Sequence, residues 1–227
     1  MADRYDFEPL DVKNFRDRVQ QNFVQSFMTM MSIIQGLSFS FLIMNTMQYH
    51  GPASNGPIDP WFLVYPAISF FMMVLVLFFY TWFVSITYRP PSIRETIIPF
   101  FLGLFQVIPT YYLNDPRKWF FWSGILLGMG VFGFYNTFRG ITPKDFGDEF
   151  VGAYDATNKE LCGNMVICSL CAIICFAASF FYPVGGEFSF HDWIPCALIM
   201  VILFLMGLRS ERSYLESLYR IYKLKSQ

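Results

Sequence analysis

The chain has 227 residues, of which 55% are apolar and 20% aromatic, while only 15% are charged. Soluble domains carry charge on about a quarter of their residues, so this composition argues against an ordinary soluble protein. The net charge of -1 gives no reason to expect nucleic acid as a partner.

The first 26 residues are polar and have an amphipathic pattern. Asp11 is a candidate N-cap, and the apolar residues that follow it recur at spacings of three and four. They are Val12, Phe15, Val19, Phe23 and Phe27. This pattern predicts a cytoplasmic amphipathic helix in segment 1–26, which either lies on the membrane or inside the bundle, or contacts another subunit.

Six apolar runs without any Lys, Arg, Asp or Glu follow along the chain. A helix of about 20 residues crosses a hydrocarbon core of about 30 Å, so the runs predict six transmembrane helices and an all-α, polytopic helical bundle in domain 27–208. The predicted spans are 27–47, 61–86, 97–113, 119–138, 161–182 and 193–208. The third and sixth are short, and a re-entrant segment is the alternative for each. Trp119 and other rings at span ends are expected at the headgroups.

The positive charges are divided unevenly between the two sides of this predicted topology. Fourteen Lys and Arg residues lie in the termini and in the loops after the second and fourth spans, and only Arg117 and Lys118 lie opposite. The positive-inside rule therefore places both termini in the cytoplasm. We expect a multi-pass protein of the plasma (inner) membrane with the lipid bilayer as its solvent.

Polar, uncharged residues form stripes within three of the predicted spans. At helical spacing, Gln35, Ser38 and Asn45 share one face of the first span, Gln106 and Thr110 share one face of the third, and Asn164 begins a stripe in the fifth. These six residues are candidates for lining a conduction pathway. The alternative is that small and polar residues hold helices together, as Gly124 and Gly128 are expected to do in the fourth span.

The sequence gives less support to functions that need charged residues or a metal site within the membrane. The predicted spans contain no charged residue, which argues against a proton pump or a voltage sensor. Cys168, Cys171 and Cys175 share a helix face, but no His lies near them on that helix, so apolar packing is expected and no metal or cofactor.

The cytoplasmic side offers candidate docking residues for a soluble partner. The tail 209–227 is predicted to be a second amphipathic helix, with Tyr214 and Leu218 on its apolar face. The loop 139–160 carries the acidic residues Asp145, Asp148 and Glu149, without the spacing of an EF-hand. A solvated loop or a short interfacial helix is the default interpretation of this segment.

One enzymatic interpretation comes from Ser123-Gly124 in the fourth span and His191 before the sixth. A six-helix core with a Ser and a His so placed resembles the rhomboid intramembrane proteases, and the resemblance implies a Ser-His dyad. Phe121 stands where that family's Gly-x-Ser-Gly motif has its first Gly, and the second span has neither His nor Asn.

The residues therefore leave three functions open. An oligomeric channel that passes ions or small solutes passively is the first expectation, because the polar stripes suggest a direct mechanism. The alternative is a non-conducting membrane anchor or sensor subunit, which recruits a cytoplasmic partner through its termini and the 139–160 loop. An intramembrane serine protease is the third, and an enzyme is the least favoured class.

Overall fold

The computed structural model of the protein describes residues 12–50, 63–86, 93–142, 151–182 and 193–225. Within these ranges the regular structure is six α-helices, without any strand. They are α1 Val12–His50, α2 Val64–Ile86, α3 Ile93–Thr110, α4 Pro116–Gly140, α5 Val151–Phe181 and α6 Trp193–Lys225. The all-α prediction is confirmed for this part of the chain.

Four helices in the described part are long and apolar enough to cross a membrane, which supports a membrane protein. The apolar segments are Val24–Gln48, Val64–Phe83, Tyr154–Phe181 and Trp193–Glu216. The apolar part of α3, Phe100–Thr110, is shorter. In α4 the stretch 119–138 has no charge, but its Gly, Trp and Tyr residues are less apolar than Leu or Ile.

Three helices extend well past the spans that the sequence predicts. At about 1.5 Å per residue, α1 with 39 residues, α5 with 31 and α6 with 33 all exceed the roughly 30 Å of a hydrocarbon core. The backbone of α1 is helical across position 26 and that of α6 across position 208. The second part of the predicted 139–160 loop, from Val151 onward, belongs to α5 instead.

The helices pack as a ring in the order α1, α3, α4, α5, α6, α2 and back to α1, with α2 also contacting α3. The first and third helices run parallel, because Ser38 bonds to Gly103 and Asn45 bonds to Thr110 with the same offset of 65 residues. A turn joins α3 to α4, and in it the Asp115 amide donates to Tyr112 O over 2.9 Å.

The extra lengths of α1, α5 and α6 lie at the same end of the bundle. Near that end, Phe27 of α1 packs on Tyr80 of α2, and Phe78 of α2 packs on Tyr214 of α6. The early part of α5 pairs with the late part of α6 through Glu160 and Arg209. We call this the extended end of the bundle.

An aromatic cluster occupies the opposite end. The Tyr65 and Trp119 ring centroids lie 4.5 Å apart, and Phe120 stacks on Tyr182 at 5.5 Å. The indole N–H of Trp119 donates to Ser69 Oγ over 3.1 Å. The Trp119 ring is fully buried between α2 and α4 and has a protein acceptor, so it packs within the bundle, and its level at the headgroups stays a prediction.

Candidate functional site: buried polar groups of the bundle

The polar stripes of the first and third predicted spans meet at the α1–α3 interface. Ser38 Oγ lies 3.0 Å from Ile34 O and 3.1 Å from Gly103 O, so its proton reaches an acceptor on either helix. Gly103 lets the helices approach closely, since a Cβ there would overlap Ile34 Cγ2. These contacts bring the two backbones together in the manner of small-residue membrane interfaces.

Asn45 and Thr110 form a second bond between α1 and α3. Asn45 Nδ2 donates to Thr110 Oγ1 over 2.9 Å, and Thr110 Oγ1 donates to Val107 O over 2.7 Å. Both side chains are buried. Their polar atoms therefore serve contacts within one chain.

Gln35 and Gln106 are buried in the same region, but the oxygen and nitrogen of each side-chain amide have no partner among the described residues. A buried amide without a hydrogen bond costs free energy of about 1–3 kcal/mol. All six pathway candidates, with Asn164 included, are no more than 6% exposed. The structure thus places five of them at or near the α1–α3 interface and Asn164 elsewhere, on α5.

An ion pair joins α5 to α6 near the extended end. Arg209 Nε and Nη2 lie 3.1 and 3.0 Å from the same carboxylate oxygen of Glu160. The Glu160 side chain is only 6% exposed, whereas that of Arg209 is 42% exposed. A carboxylate this deeply buried depends on its hydrogen-bond donors, because water no longer solvates it.

Ser210 and Asn164 complete a polar network around Glu160. Ser210 Oγ donates to the second carboxylate oxygen over 2.6 Å, a short bond typical of a charged acceptor. Asn164 Nδ2 in turn donates to Ser210 Oγ over 3.2 Å. We call Glu160, Asn164, Arg209 and Ser210 the α5–α6 network.

Gly163 makes room for this network on α5. A Cβ at position 163 would overlap the Arg209 guanidinium, so any larger residue there displaces the cation from its present place. Gly163 lies three residues after Glu160 and therefore on the same side of α5. The carboxylate and the space for its cation thus come from one helical turn.

The network adds a charged pair at the edge of two predicted spans. Glu160 and Arg209 lie inside the apolar segments Tyr154–Phe181 and Trp193–Glu216. The predicted fifth span begins at Leu161, one residue after Glu160. The predicted sixth span ends at Leu208, one residue before Arg209. Glu160 and Arg209 have opposite charges and flank the predicted fifth and sixth spans on the same side of the membrane. This sequence pattern could have revealed the pair.

The two packing candidates of α4 have different surroundings. A Cβ at Gly124 would lie 3.1 Å from the Phe176 ring, so this glycine does admit a close neighbour from α5. At Gly128 no atom lies within 4 Å of such a Cβ, and the residue is exposed. Gly128 therefore makes no contact of that kind within the described chain.

The protease candidate Ser123 is fully buried, and its Oγ has no partner in the described ranges. His191 lies outside those ranges. No described residue supplies a base to Ser123, so the resemblance gains nothing from the geometry.

The docking candidates are only in part described. Tyr214 is half-buried, and its ring lies edge-on to Phe78 with the centroids 6.3 Å apart. Asp145, Asp148, Glu149 and the side chain of Leu218 lie outside the described residues. Tyr214 thus packs inside the bundle, while Leu215 beside it is exposed.

The cysteine face of α5 points into the core. Cys168, Cys171 and Cys175 are buried free thiols in the main apolar cluster. Among the described residues, no group of three or more His, Cys, Asp or Glu is placed to hold a metal ion.

Comparison with protein families, with curated proteins and with solved structures finds no match to this chain.

Proposed function

We propose that this protein is a non-conducting membrane anchor or sensor subunit, which presents the extended end of its bundle to a soluble cytoplasmic partner. The observation that carries the proposal is the α5–α6 network: it fixes two helices to each other where both leave the apolar core. Docking surfaces work best on rigid elements, and a buried, multiply bonded carboxylate supplies such rigidity.

The proposed topology has six crossings with both termini in the cytoplasm. Parallel α1 and α3 require α2 to return between them, and the charge-free stretch of α4 lies between Lys118 and Arg139. With the Lys and Arg excess of 14 to 2, the extended end is the cytoplasmic one.

Burial argues against an oligomeric pore through the polar stripes. Residues that line a pore on a symmetry axis lie on the surface of each single chain. The six candidates are instead buried within one chain, and Ser38, Asn45, Thr110 and Asn164 bond to neighbouring helices. We assign these residues to helix packing, which membrane bundles commonly achieve with such side chains.

The end of α6 offers a surface suited to an acidic partner. The tail from Arg209 onward carries five cations against two acids, Glu211 and Glu216. Leu215, which is 56% exposed, adds an apolar contact near the exposed Arg212 in the preceding turn of the helix. Cationic side chains around an apolar residue favour a protein surface that combines acidic and apolar groups.

A flux assay separates this proposal from a channel. Protein purified and reconstituted into liposomes is expected to leave ion and small-solute permeability at the level of protein-free vesicles. A clear flux that Gln106→Leu reduces would favour the pore and contradict the proposal.

Site-specific photo-crosslinking in cells tests the docking surface. A benzophenone amino acid at Leu215 is expected to give a discrete adduct with one soluble protein, and Arg212→Glu or Arg209→Gln is expected to weaken it. The matched control is Val166, which is 69% exposed in the apolar part of α5 and is expected to react with lipid only. Identical adducts at both positions, or none at Leu215, would argue against docking there.

A further inference from the structure

A cavity of about 90 Å³ lies inside the helix ring, with walls from α2, α3, α4, α5 and α6. Phe79 and Phe134 face each other beside it in an edge-to-face pair at 5.0 Å. None of the residues that line it is Asp, Glu, Lys, Arg or His. An occupant must therefore be uncharged, because nothing in the wall compensates a buried charge.

Two polar groups in the cavity wall lack hydrogen-bond partners. They are Nε1 of Trp82, a donor only, and Oγ1 of Thr157, which both donates and accepts. Both residues are at least 98% buried, and neither atom is bonded to any described residue. A buried indole N–H or hydroxyl is normally paired, so both atoms indicate a missing acceptor.

The rest of the wall is mostly apolar, with Tyr80 and Thr137 as its other hydroxyl-bearing side chains, and the two unpaired groups lie towards the extended end. Trp82 belongs to the last turns of α2, and Thr157 lies one turn before Leu161 on α5. The cavity thus has an apolar body and one polar end. This is the arrangement of small-molecule sites, in which a few polar groups orient an otherwise apolar ligand.

We propose that the cavity binds a small, uncharged, membrane-soluble molecule whose single oxygen accepts a hydrogen bond from Trp82 and contacts the Thr157 hydroxyl. A short alcohol or ketone has this chemistry. An engineered cavity of about 150 Å³ holds benzene, so about 90 Å³ corresponds to roughly four non-hydrogen atoms. Water alone fits the two polar groups but leaves the apolar body without favourable contacts.

The chain provides a matched pair of variants for the test. Gly130 lines the cavity, and a Cβ there would meet only Cys168 Sγ at 3.9 Å, so Gly130→Leu places a side chain into the empty space. Gly128, two residues earlier on α4, is exposed, with no atom within 4 Å of its Cβ position. Gly128→Leu therefore adds the same side chain outside the cavity.

The probe is 2-propanol, whose four non-hydrogen atoms match the cavity, applied to the protein in nanodiscs of deuterated lipid, with its contacts to the protein mapped by nuclear Overhauser effects. We expect a saturable Overhauser signal from 2-propanol to cavity residues such as Phe134 and Leu161, competed by acetone, which has the same number of non-hydrogen atoms. Gly130→Leu is expected to abolish it, and Gly128→Leu to leave it unchanged. Thr157→Val, which keeps the shape, is expected to weaken binding about fivefold, the effect of one hydrogen bond.

Three results would overturn the proposal. They are signals restricted to lipid-facing residues, equal signals in Gly130→Leu and wild type, and an equal affinity for isobutane, which has the same number of non-hydrogen atoms but no hydroxyl. The first would mean that water or nothing fills the cavity. If Gly130→Leu does not fold, Thr157→Val and Trp82→Phe still decide whether the polar end binds oxygen. None of these results depends on docking of a soluble partner at Leu215.

Discussion

Arg209 places two nitrogens within 3.1 Å of one carboxylate oxygen of Glu160, and this pair joins α6 to α5 where both helices leave the apolar core. The two members differ in exposure, since the Glu160 side chain is 6% exposed and that of Arg209 is 42% exposed. Loss of Arg209 and loss of Glu160 are therefore expected to lower the free energy of unfolding by different amounts.

We expect Arg209→Gln to lower the free energy of unfolding by about 3 kcal/mol, because it leaves a buried carboxylate without its cation. Glu160→Gln is expected to cost about 1.5 kcal/mol, because the freed guanidinium can turn to solvent. Denaturation in mixed micelles measures both.

The exposed pair Arg212–Glu216 is the control for these variants. Its side chains are 84% and 56% exposed, so Arg212→Gln is expected to change stability by less than about 0.5 kcal/mol. Equal effects of Arg209→Gln and Arg212→Gln on the free energy of unfolding would show that the burial of Glu160 does not strengthen its ion pair.

Gly103 is expected to be intolerant of any side chain. Gly103→Ala forces Ile34 to move and is predicted to cost about 1–3 kcal/mol by overpacking the α1–α3 interface. Gly36→Ala is the control, because nothing lies within 4 Å of its Cβ position. A helix former in place of Gly36 is expected to be neutral or stabilising. The prediction fails if the two alanines behave alike.

Gln106→Leu is expected to stabilise the protein by about 1 kcal/mol, because it removes a buried amide that has no partner among the residues described. A residue that lines a pore would respond differently, with altered flux and little gain in stability. Thermal unfolding of the purified variant measures the first effect. A loss of stability would mean that Gln106 has a bound partner such as water.

Asp115 caps the N-terminus of α4, where its side chain accepts a bond from Lys118 N over 3.1 Å. Asp115→Ala is expected to cost about 1 kcal/mol, and Asp115→Asn much less, since Asn also caps helices. Burial alone raises the pKa of Asp115, but the bonds and charge of Lys118 outweigh it and lower the pKa.

A lowered pKa means that the folded state favours the ionised carboxylate. The stabilisation from Asp115 is therefore complete above the unfolded pKa of about 3.9 and is lost as the pH falls through the lower folded value. Asp115→Asn should remove this part of the acid sensitivity. An unchanged acid titration of stability in that variant would contradict the assignment.

Much of the helical architecture could be predicted from the sequence, because long apolar runs form apolar helices. All six predicted runs lie largely within helices. The helix ends could not be predicted, since charged residues such as Glu160 continue α5 and α6 once they find partners. A hydropathy scale assigns Glu160 the same polar value whether or not Arg209 pairs with it.

The roles of the buried polar residues were harder to predict from the sequence than the helices. Periodicity correctly predicts that Ser38 and Asn45 share a face of α1, but it does not tell whether that face meets water or another helix. Only the positions of Gly103 and Thr110 decide this. The cavity is likewise invisible in the sequence, because its wall comes from five helices.

The central claim is that the α5–α6 network holds the two helices in one arrangement at the extended end. Its most direct test is the distance distribution between spin labels at Asp155→Cys and Leu215→Cys, measured by electron paramagnetic resonance in nanodiscs with Cys162→Ser. Both labelled positions are exposed. We predict one narrow distribution for the otherwise native chain and a broad one after Arg209→Gln. The same narrow distribution in both proteins would contradict the claim.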